Sequence, residues 1–354
     1  MDPTHPKSMR AWLYSSSRGT IEATMTLDPN AAAPTLTEQL QPDQVLVEVY
    51  FAGLNPVDYK IAENAVLTRL LVSKPASPGL DFAGRVIAVG PNSGRITDEE
   101  LELRQLVFGK LDLPQKFGTL GQFIVAPRAG CAPLSDGGRL PEAASLGTVG
   151  LSAYQSIAPF AQAGSNIFIH GGSGGTGTCG IQIAKELGCY VVTTCSGRNV
   201  DYCRSLGADE VIDYTETDIL SALRGQGRLF DVIVDNAGMN TNLYRNIWEV
   251  AKPDANFVQV AGDPDFSTAV KAVSRLLWIK IFGGQKKLHY LGVKNQYAQL
   301  TELEKWLQGN RLRLLVEEVF RFEDAPRAFE KLKSHQGKGK IVVKMSDKNL
   351  EMLK

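Results

Sequence analysis

An excess of charge of either sign is missing from this chain: 38 Lys and Arg stand against 38 Asp and Glu over 354 residues. Without a cationic surplus to neutralise a phosphate backbone, the chain lacks the footprint of a nucleic-acid binder. Cysteine is scarce and odd in number. Cys131, Cys179, Cys189, Cys195 and Cys203 form no C-x-x-C pair, which excludes a disulfide framework and a cysteine-rich structural zinc site. The opening residues Met1 to Ser8 have no apolar core and no Arg-rich amphipathic pattern, so no targeting segment is predicted and a cytoplasmic location is expected. Long apolar runs are absent as well. Residues 143–184 carry no Asp, Glu, Lys or Arg, yet Gly, Ser, Thr, Asn and Gln interrupt them before any membrane-spanning length is reached.

What remains is ordinary globular composition, 44% hydrophobic and 21% charged. At roughly 150 residues per domain the length suggests two domains. The first 130 residues read as strands and turns, with strands over Val45–Phe51, Asp81–Val89 and Gln122–Ala126. After about residue 140 strands alternate with helices. Strands are predicted at Asn166–His170, Tyr190–Thr194, Glu210–Asp213, Asp231–Asp235 and Asn256–Ala261. Helices are predicted at Thr176–Leu187, Val200–Leu206, Ile219–Leu223 and Leu243–Val250. Strands joined through single helices need crossover connections, which gives a parallel, doubly wound sheet. The tail returns to a mixed pattern: helix Gln296–Gln308, strand Leu314–Phe320, helix Asp324–Leu332 and strand Lys340–Lys344. The expected class is α/β, with a β-rich domain over 1–140 completed by 291–354 and a dinucleotide-binding domain over 141–290.

Gly172, Gly174 and Gly177 fit G-x-G-x-x-G between a predicted strand and a predicted helix, the context in which the motif binds a dinucleotide. Gly172 is expected to make the tight turn, Gly174 to let the backbone approach a pyrophosphate, and Gly177 to let helix and sheet pack closely. Ser173, Gly175 and Thr176 complete the loop, whose N–H groups and helix dipole favour an anion. The alternative is a plain glycine-rich turn. Asp or Glu usually ends the second strand of an NAD site. Here that strand runs into Thr194-Cys-Ser-Gly-Arg-Asn199, with no acid before Asp201. Ser196 and Arg198 suit a 2′-phosphate instead, so the expected coenzyme is NADPH; the alternative for Arg198 is a solvated helix start. Gly238, in the turn after Asp231–Asp235, is assigned to the same site.

Several segments resemble the zinc-independent branch of the medium-chain dehydrogenase/reductase family, which holds quinone oxidoreductases, alkenal/enone reductases and trans-acting enoyl reductases. They are Gly53–Lys60 (Gly-Leu-Asn-Pro-Val-Asp-Tyr-Lys), Pro78–Gly84, Ala143–Tyr154, the glycine loop, Ser205–Tyr214 and Gly337–Val343. These lie in family order along nearly the whole chain. The resemblance implies a GroES-like catalytic domain followed by a Rossmann domain, with the active cleft between them. Where zinc-dependent relatives have Cys and Gly-His-Glu, this chain has Asn55 and Gly79-Leu80-Asp81, so no metal site is expected.

The implied reaction is hydride transfer from NADPH to the β-carbon of an enone, quinone or enoyl thioester, with the substrate carbonyl taking the charge as an enolate. The resemblance places Asn55 and Thr148 near the nicotinamide and Tyr214 near the adenosine end. It turns Lys60 toward the cleft as the donor to the enolate oxygen or the relay of the α-proton; the alternative is a solvated lysine. Tyr59 and Tyr154 are substrate contacts or core aromatics, and Asp58 is a structural hydrogen-bonding residue. The apolar stretch Glu63–Pro75 lines the substrate pocket or forms a small core helix. The implied partners are a small-molecule substrate and, for the trans-acting alternative, a polyketide synthase. A non-catalytic NADPH-binding protein is the reading from another class, and monomer and homodimer both stay open.

Overall fold

The structure, a computed structural model, describes residues 7–16, 18–34, 40–64, 72–91, 101–113, 116–135, 137–239, 241–260, 287–334 and 338–345. Most of the apolar stretch after Glu63, the end of the strand expected to reach Ala261, and Gly337 lie outside them. In chain order the main elements are β1 (Ser8–Tyr14), α1 (Ile21–Thr24), β2 (Met25–Ala32), β3 (Gln44–Leu54), α2 (Pro56–Glu63), β4 (Asp81–Val89), β5 (Leu106–Lys110), β6 (Phe123–Pro127), β7 (Cys131–Pro133), α3 (Leu140–Ala144) and α4 (Leu146–Ile157). Next come β8 (Asn166–His170), α5 (Gly175–Glu186), β9 (Tyr190–Cys195), α6 (Val200–Ser205), β10 (Glu210–Asp213), α7 (Ile219–Gly225), β11 (Phe230–Asp235), α8 (Thr241–Asn246) and β12 (Ala251–Gln259). The last are β13 (Lys287–Tyr290), α9 (Tyr297–Gln308), β14 (Val316–Arg321), α10 (Ala325–Lys333) and β15 (Lys340–Lys344).

The chain divides into two units. One comprises 1–151, 294–309 and 314–354; the other comprises 152–293 and 310–313. The division falls inside α4 rather than at the expected 140/141.

In the first unit β3 is the spine. Its run Val45-Leu-Val-Glu-Val-Tyr-Phe51 is rich in β-branched and aromatic residues, which suit a pleated, buried surface. It pairs antiparallel with β15, β4 and β6 in a sheet ordered β14-β15-β3-β4-β5-β7. Val45, Val47, Phe82, Val86, Val107, Ile124, Phe329 and Val343 form its core. Truncating a fully buried phenylalanine such as Phe82 to alanine would cost about 3–5 kcal/mol. The C-terminal β15 returns beside β3, with Ile341 opposite Leu54, and so delivers Lys340 to the end of the strand that carries Asn55.

The second unit is a six-stranded parallel sheet in the order β10-β9-β8-β11-β12-β13. Its central strands β8, β9 and β11 are short apolar runs buried on both faces, as parallel sheets require. Chain order reverses between β8 and β11, so the carboxyl ends of these two strands mark the topological switch point where ligands bind in such sheets. Two expectations are corrected. The helix expected over Leu243–Val250 is α8 followed by a 3-10 turn, Ile247–Val250. β12 begins at Ala251, five residues early, because the polar and proline run Lys-Pro-Asp at 252–254 hides the strand pattern while the register shifts against β11.

Candidate functional site

The glycine loop joins β8 to α5. Gly171, not Gly172, takes the positive φ of 85° that turns the chain. Gly172 is demanded by close approach instead: a Cβ there would lie 2.1 Å from the Thr193 hydroxyl oxygen. At Gly177 a Cβ would meet the Gly171 carbonyl at 2.1 Å, so the close approach there is to the turn, where packing of helix on sheet was expected. At Gly174, the N-cap of α5, a Cβ would find only that carbonyl, at 3.8 Å. The backbone face there is open, beside the N-terminal N–H groups of a twelve-residue helix that has no side-chain cap. That opening is the cradle an anionic pyrophosphate needs.

Thr194 pins the loop. Its hydroxyl accepts the Gly171 N–H at 3.0 Å and lies 2.9 Å from His170 Nδ1, while its carbonyl accepts the Gly172 N–H at 2.9 Å. Burial pushes the His170 imidazole below its usual range, against the charge of Asp235. Its Nδ1 contact with Thr194 helps hold the turn.

The end of β9 forms a second turn. Ser196 is half-buried and Arg198 is exposed, with no ion pair or hydrogen bond on its guanidinium among the described residues. Asn199 is buried and ties the turns together. Its Nδ2 donates to Ser173 Oγ at 3.2 Å and to Ser196 Oγ at 3.3 Å, and its Oδ1 has no partner. Tyr214, 53% exposed, follows β10 and donates its N–H to the Cys195 carbonyl at 3.1 Å, beside this same turn.

At the switch point the buried Asp235 carboxylate accepts the N–H groups of Gly238 at 2.8 Å and Met239 at 2.7 Å, and the Gln259 amide at 2.8 Å. Gly238 has a φ of 83°. Asn236 Oδ1 is buried without a partner. An unpaired buried acceptor costs about 1–3 kcal/mol. Asn199 and Asn236 thus hold two acceptors suited to hydroxyl or amide donors of a bound nucleotide. The residues of this unit fit a dinucleotide.

The first unit holds a buried polar node. Asp81, 0% exposed, accepts the Thr148 N–H at 2.8 Å and its hydroxyl at 2.6 Å on one oxygen, and Asn55 Nδ2 at 2.8 Å on the other. Thr148 lies in the first turn of α4, so this carboxylate also caps a helix N-terminus. The Lys340 ammonium donates to Asn55 Oδ1 at 2.6 Å and to the Leu54 carbonyl at 2.8 Å. Asp58 accepts the Asn55 N–H at 2.7 Å, closing the N-terminus of α2 behind Pro56. Lys110, paired across the sheet with Asp81, donates to the Leu111 carbonyl at 2.9 Å.

Two carboxyls and two ammoniums are thereby taken out of water together, the condition under which buried charge is tolerated. Burial pushes the Asp58 carboxyl up to about 8; the Asp81 charge adds to this, while the Asn55 N–H, Lys340 and Lys110 oppose it. Burial likewise raises Asp81 and lowers Lys110.

Asn55 and Thr148, expected together near a nicotinamide, thus share one carboxylate. Tyr59 is buried in the core of α2's inner face, with the Lys333 ammonium 5.0 Å from its ring centroid. Lys60 and Tyr154 are half-buried. Asp81, Lys110, Lys340, Asn199, Asn236 and Asp235 were not expected as site residues. Asp81, Lys110, Asp235 and Lys340 are terminal residues of β4, β5, β11 and β15.

Residues 41–136 match the family described as alcohol dehydrogenase GroES-like domain, and 206–343 that described as zinc-binding dehydrogenase. The trans-enoyl reductase pgmF of Aspergillus terreus is 46% identical over 98% of this chain and 99% of its own length. The structure of the quinone oxidoreductase from Coxiella burnetii matches with a TM-score of 0.81 at 25% identity, over 96% of this chain and 100% of that one. The chain is a member of the medium-chain dehydrogenase/reductase family, in its quinone and enoyl reductase branch.

The CurK enoyl reductase structure shares the fold, with a TM-score of 0.75 at 20% identity over 96% of this chain and all of that one. The family's oxidoreductases bind a nicotinamide coenzyme, which agrees with the open cradle at Gly174. Zinc, which one of the matching families is named for, does not fit the node. Both side-chain atoms of Asn55 are committed, Leu80 is apolar, and the cations present are the lysine ammoniums. Among the described residues no three His, Cys, Asp or Glu side chains gather as a metal-ligand set. Among them, too, no helix is long and apolar enough to cross a membrane.

Proposed function

We propose that the chain is a zinc-independent, NADPH-dependent reductase of carbon–carbon double bonds activated by a carbonyl, with enoyl thioesters as its substrate class. The observation that carries this reading is the Asn55–Asp81–Lys340 node. It supplies no thiolate or imidazole to a metal, so the site is not equipped to ionise an alcohol. A conjugated carbonyl needs no such help, because its own oxygen receives the charge.

The bound coenzyme supplies the hydride. The protein's part is then to hold and protonate. Arg198 and Ser196 bind the 2′-phosphate, the open turn at Gly174 takes the pyrophosphate, and Asn199 and Asn236 accept from the nucleotide. Asn55 and Thr148, both held on Asp81, are the residues assigned to the nicotinamide end. Lys60 donates to the enolate oxygen as the substrate's electron pair moves onto it, and a proton then closes the α-carbon. Tyr59 packs in the core and holds α2 beneath Lys60.

The 46% identity to a trans-enoyl reductase supports a substrate delivered on the carrier of a polyketide synthase. The test is a co-substrate panel of crotonyl thioester, enals, enones and quinones with NADPH and NADH. Turnover of the thioester with NADPH, well above that of free quinones, is expected. Oxidation of saturated alcohols with no enoyl reduction would overturn the proposal.

A further inference from the structure

We propose that Asp213 is a specificity-determining residue of the coenzyme site, a carboxylate held against the Ser196–Arg198 turn that tempers its preference for a 2′-phosphate. The inference deepens the NADPH reading above and rests on it. No acid lies at the end of β9 itself, yet the fold brings one there from the neighbouring strand. Asp213 ends β10 directly opposite Cys195, the last residue of β9.

The contact is close. A Cβ on Gly197 would lie 2.5 Å from Asp213 Oδ2, so any side chain between Ser196 and Arg198 would have to displace this carboxylate. The Gly197 backbone N–H lies close enough to help stabilise the charged carboxylate. Its other oxygen accepts the Thr215 N–H at 2.9 Å and the Thr215 hydroxyl at 2.6 Å, which fixes its direction. These donors hold the carboxyl below its usual range, so it is charged at neutral pH. Among the described residues no cation pairs with it.

An uncompensated negative charge thus sits one residue from both groups assigned to the 2′-phosphate. It repels that phosphate, whereas a free 2′-hydroxyl can donate to it. Coenzyme choice is then a balance between Arg198 and Asp213.

The test is calorimetric titration of the full chain and of Asp213→Asn with adenosine 2′,5′-bisphosphate and with 5′-AMP. The amide keeps the oxygen that the Thr215 N–H and hydroxyl donate to, turns an NH2 toward Gly197, and removes the charge. The bisphosphate should bind the variant about 3- to 10-fold tighter at low salt, the effect of one charge on a phosphate about 6 Å away in water. The gain should fade near about 0.5 M NaCl, and 5′-AMP should gain nothing. No tightening, or an equal gain for 5′-AMP, overturns the proposal. Arg198→Ala reads the underlying assignment separately: undiminished bisphosphate binding there overturns the NADPH reading, and this proposal with it.

Discussion

The ammonium of Lys340 donates to Asn55 Oδ1 at 2.6 Å, joining residues 285 positions apart in the chain. Because Asn55 also donates to Asp81 and caps α2 with Asp58, this one bond fixes the helix that carries Tyr59 and Lys60. Lys340→Met should leave Asn55 Oδ1 and the Leu54 carbonyl unpaired and strip a cation from two buried carboxyls. A loss of about 3–5 kcal/mol is expected. Urea unfolding of the variant checks the figure, and adenosine bisphosphate affinity at the other unit should be unchanged while the fold persists.

Asp58 predicts a pH dependence whose sign follows from its raised carboxyl. Folded, it titrates near about 8, against an ordinary value of 3.8 when unfolded. Between these values the folded state keeps its proton and the unfolded state releases it. Asp58 therefore lowers stability progressively as pH rises from about 4 to about 8 and no further above that. Asp58→Asn keeps an acceptor for the Asn55 N–H and removes the titration. The stability of the variant relative to the parent should rise across this window; parallel curves from urea midpoints would remove the assignment.

Arg198 is exposed and without a partner among the described residues, so its substitution should leave the fold intact. Losing a charge-assisted hydrogen bond of about 1.5–3 kcal/mol should weaken NADPH by about 10- to 100-fold. NADH affinity should change by less than about 2-fold, for it offers no 2′-phosphate. Equal losses for both would show that Arg198 serves some other end.

Much of this was legible before the structure. Short apolar strand runs, single-helix crossovers and the glycine spacing each reflect local geometry, and the parallel sheet follows from them. The polar node does not, because Asn55, Asp81, Thr148 and Lys340 meet only after β15 crosses back to β3. Nothing local marks Lys340 as different from Lys344, the other lysine of its strand. Asp213 was likewise hidden by strand order: the acid lacking after β9 comes from its sheet neighbour, a relationship that pairing creates. The positive φ falls on Gly171 and not on Gly172, which the Thr193 hydroxyl instead leaves little room for a side chain.

The node also predicts insensitivity to metal removal. With ammoniums occupying it and both atoms of Asn55 bound, the first unit offers zinc no ligand set among the described residues. Dialysis against EDTA should leave enoyl reduction and thermal midpoint unchanged, and elemental analysis should find well under one zinc per chain. Parallel loss of zinc and activity would contradict the absence of a metal role.

Lys60 separates the chemistry from the scaffold. It lies half-buried on α2, one residue beyond Tyr59, whose ring is held in the core beneath the Lys333 ammonium. If Lys60 stabilises the enolate oxygen, Lys60→Met removes a donor that acts only as charge develops, worth about 2.7–4 kcal/mol of barrier. The expected result is a kcat lower by about 10²–10³, with KM for the thioester and NADPH affinity little changed. A lysine that merely solvates the helix would leave kcat within about 2-fold of the parent, and a role in ground-state binding would raise KM instead. Arginine at this position should recover part of the rate if the group acts as a fixed cation, and none if it must hand over its proton, since a guanidinium stays protonated in proteins.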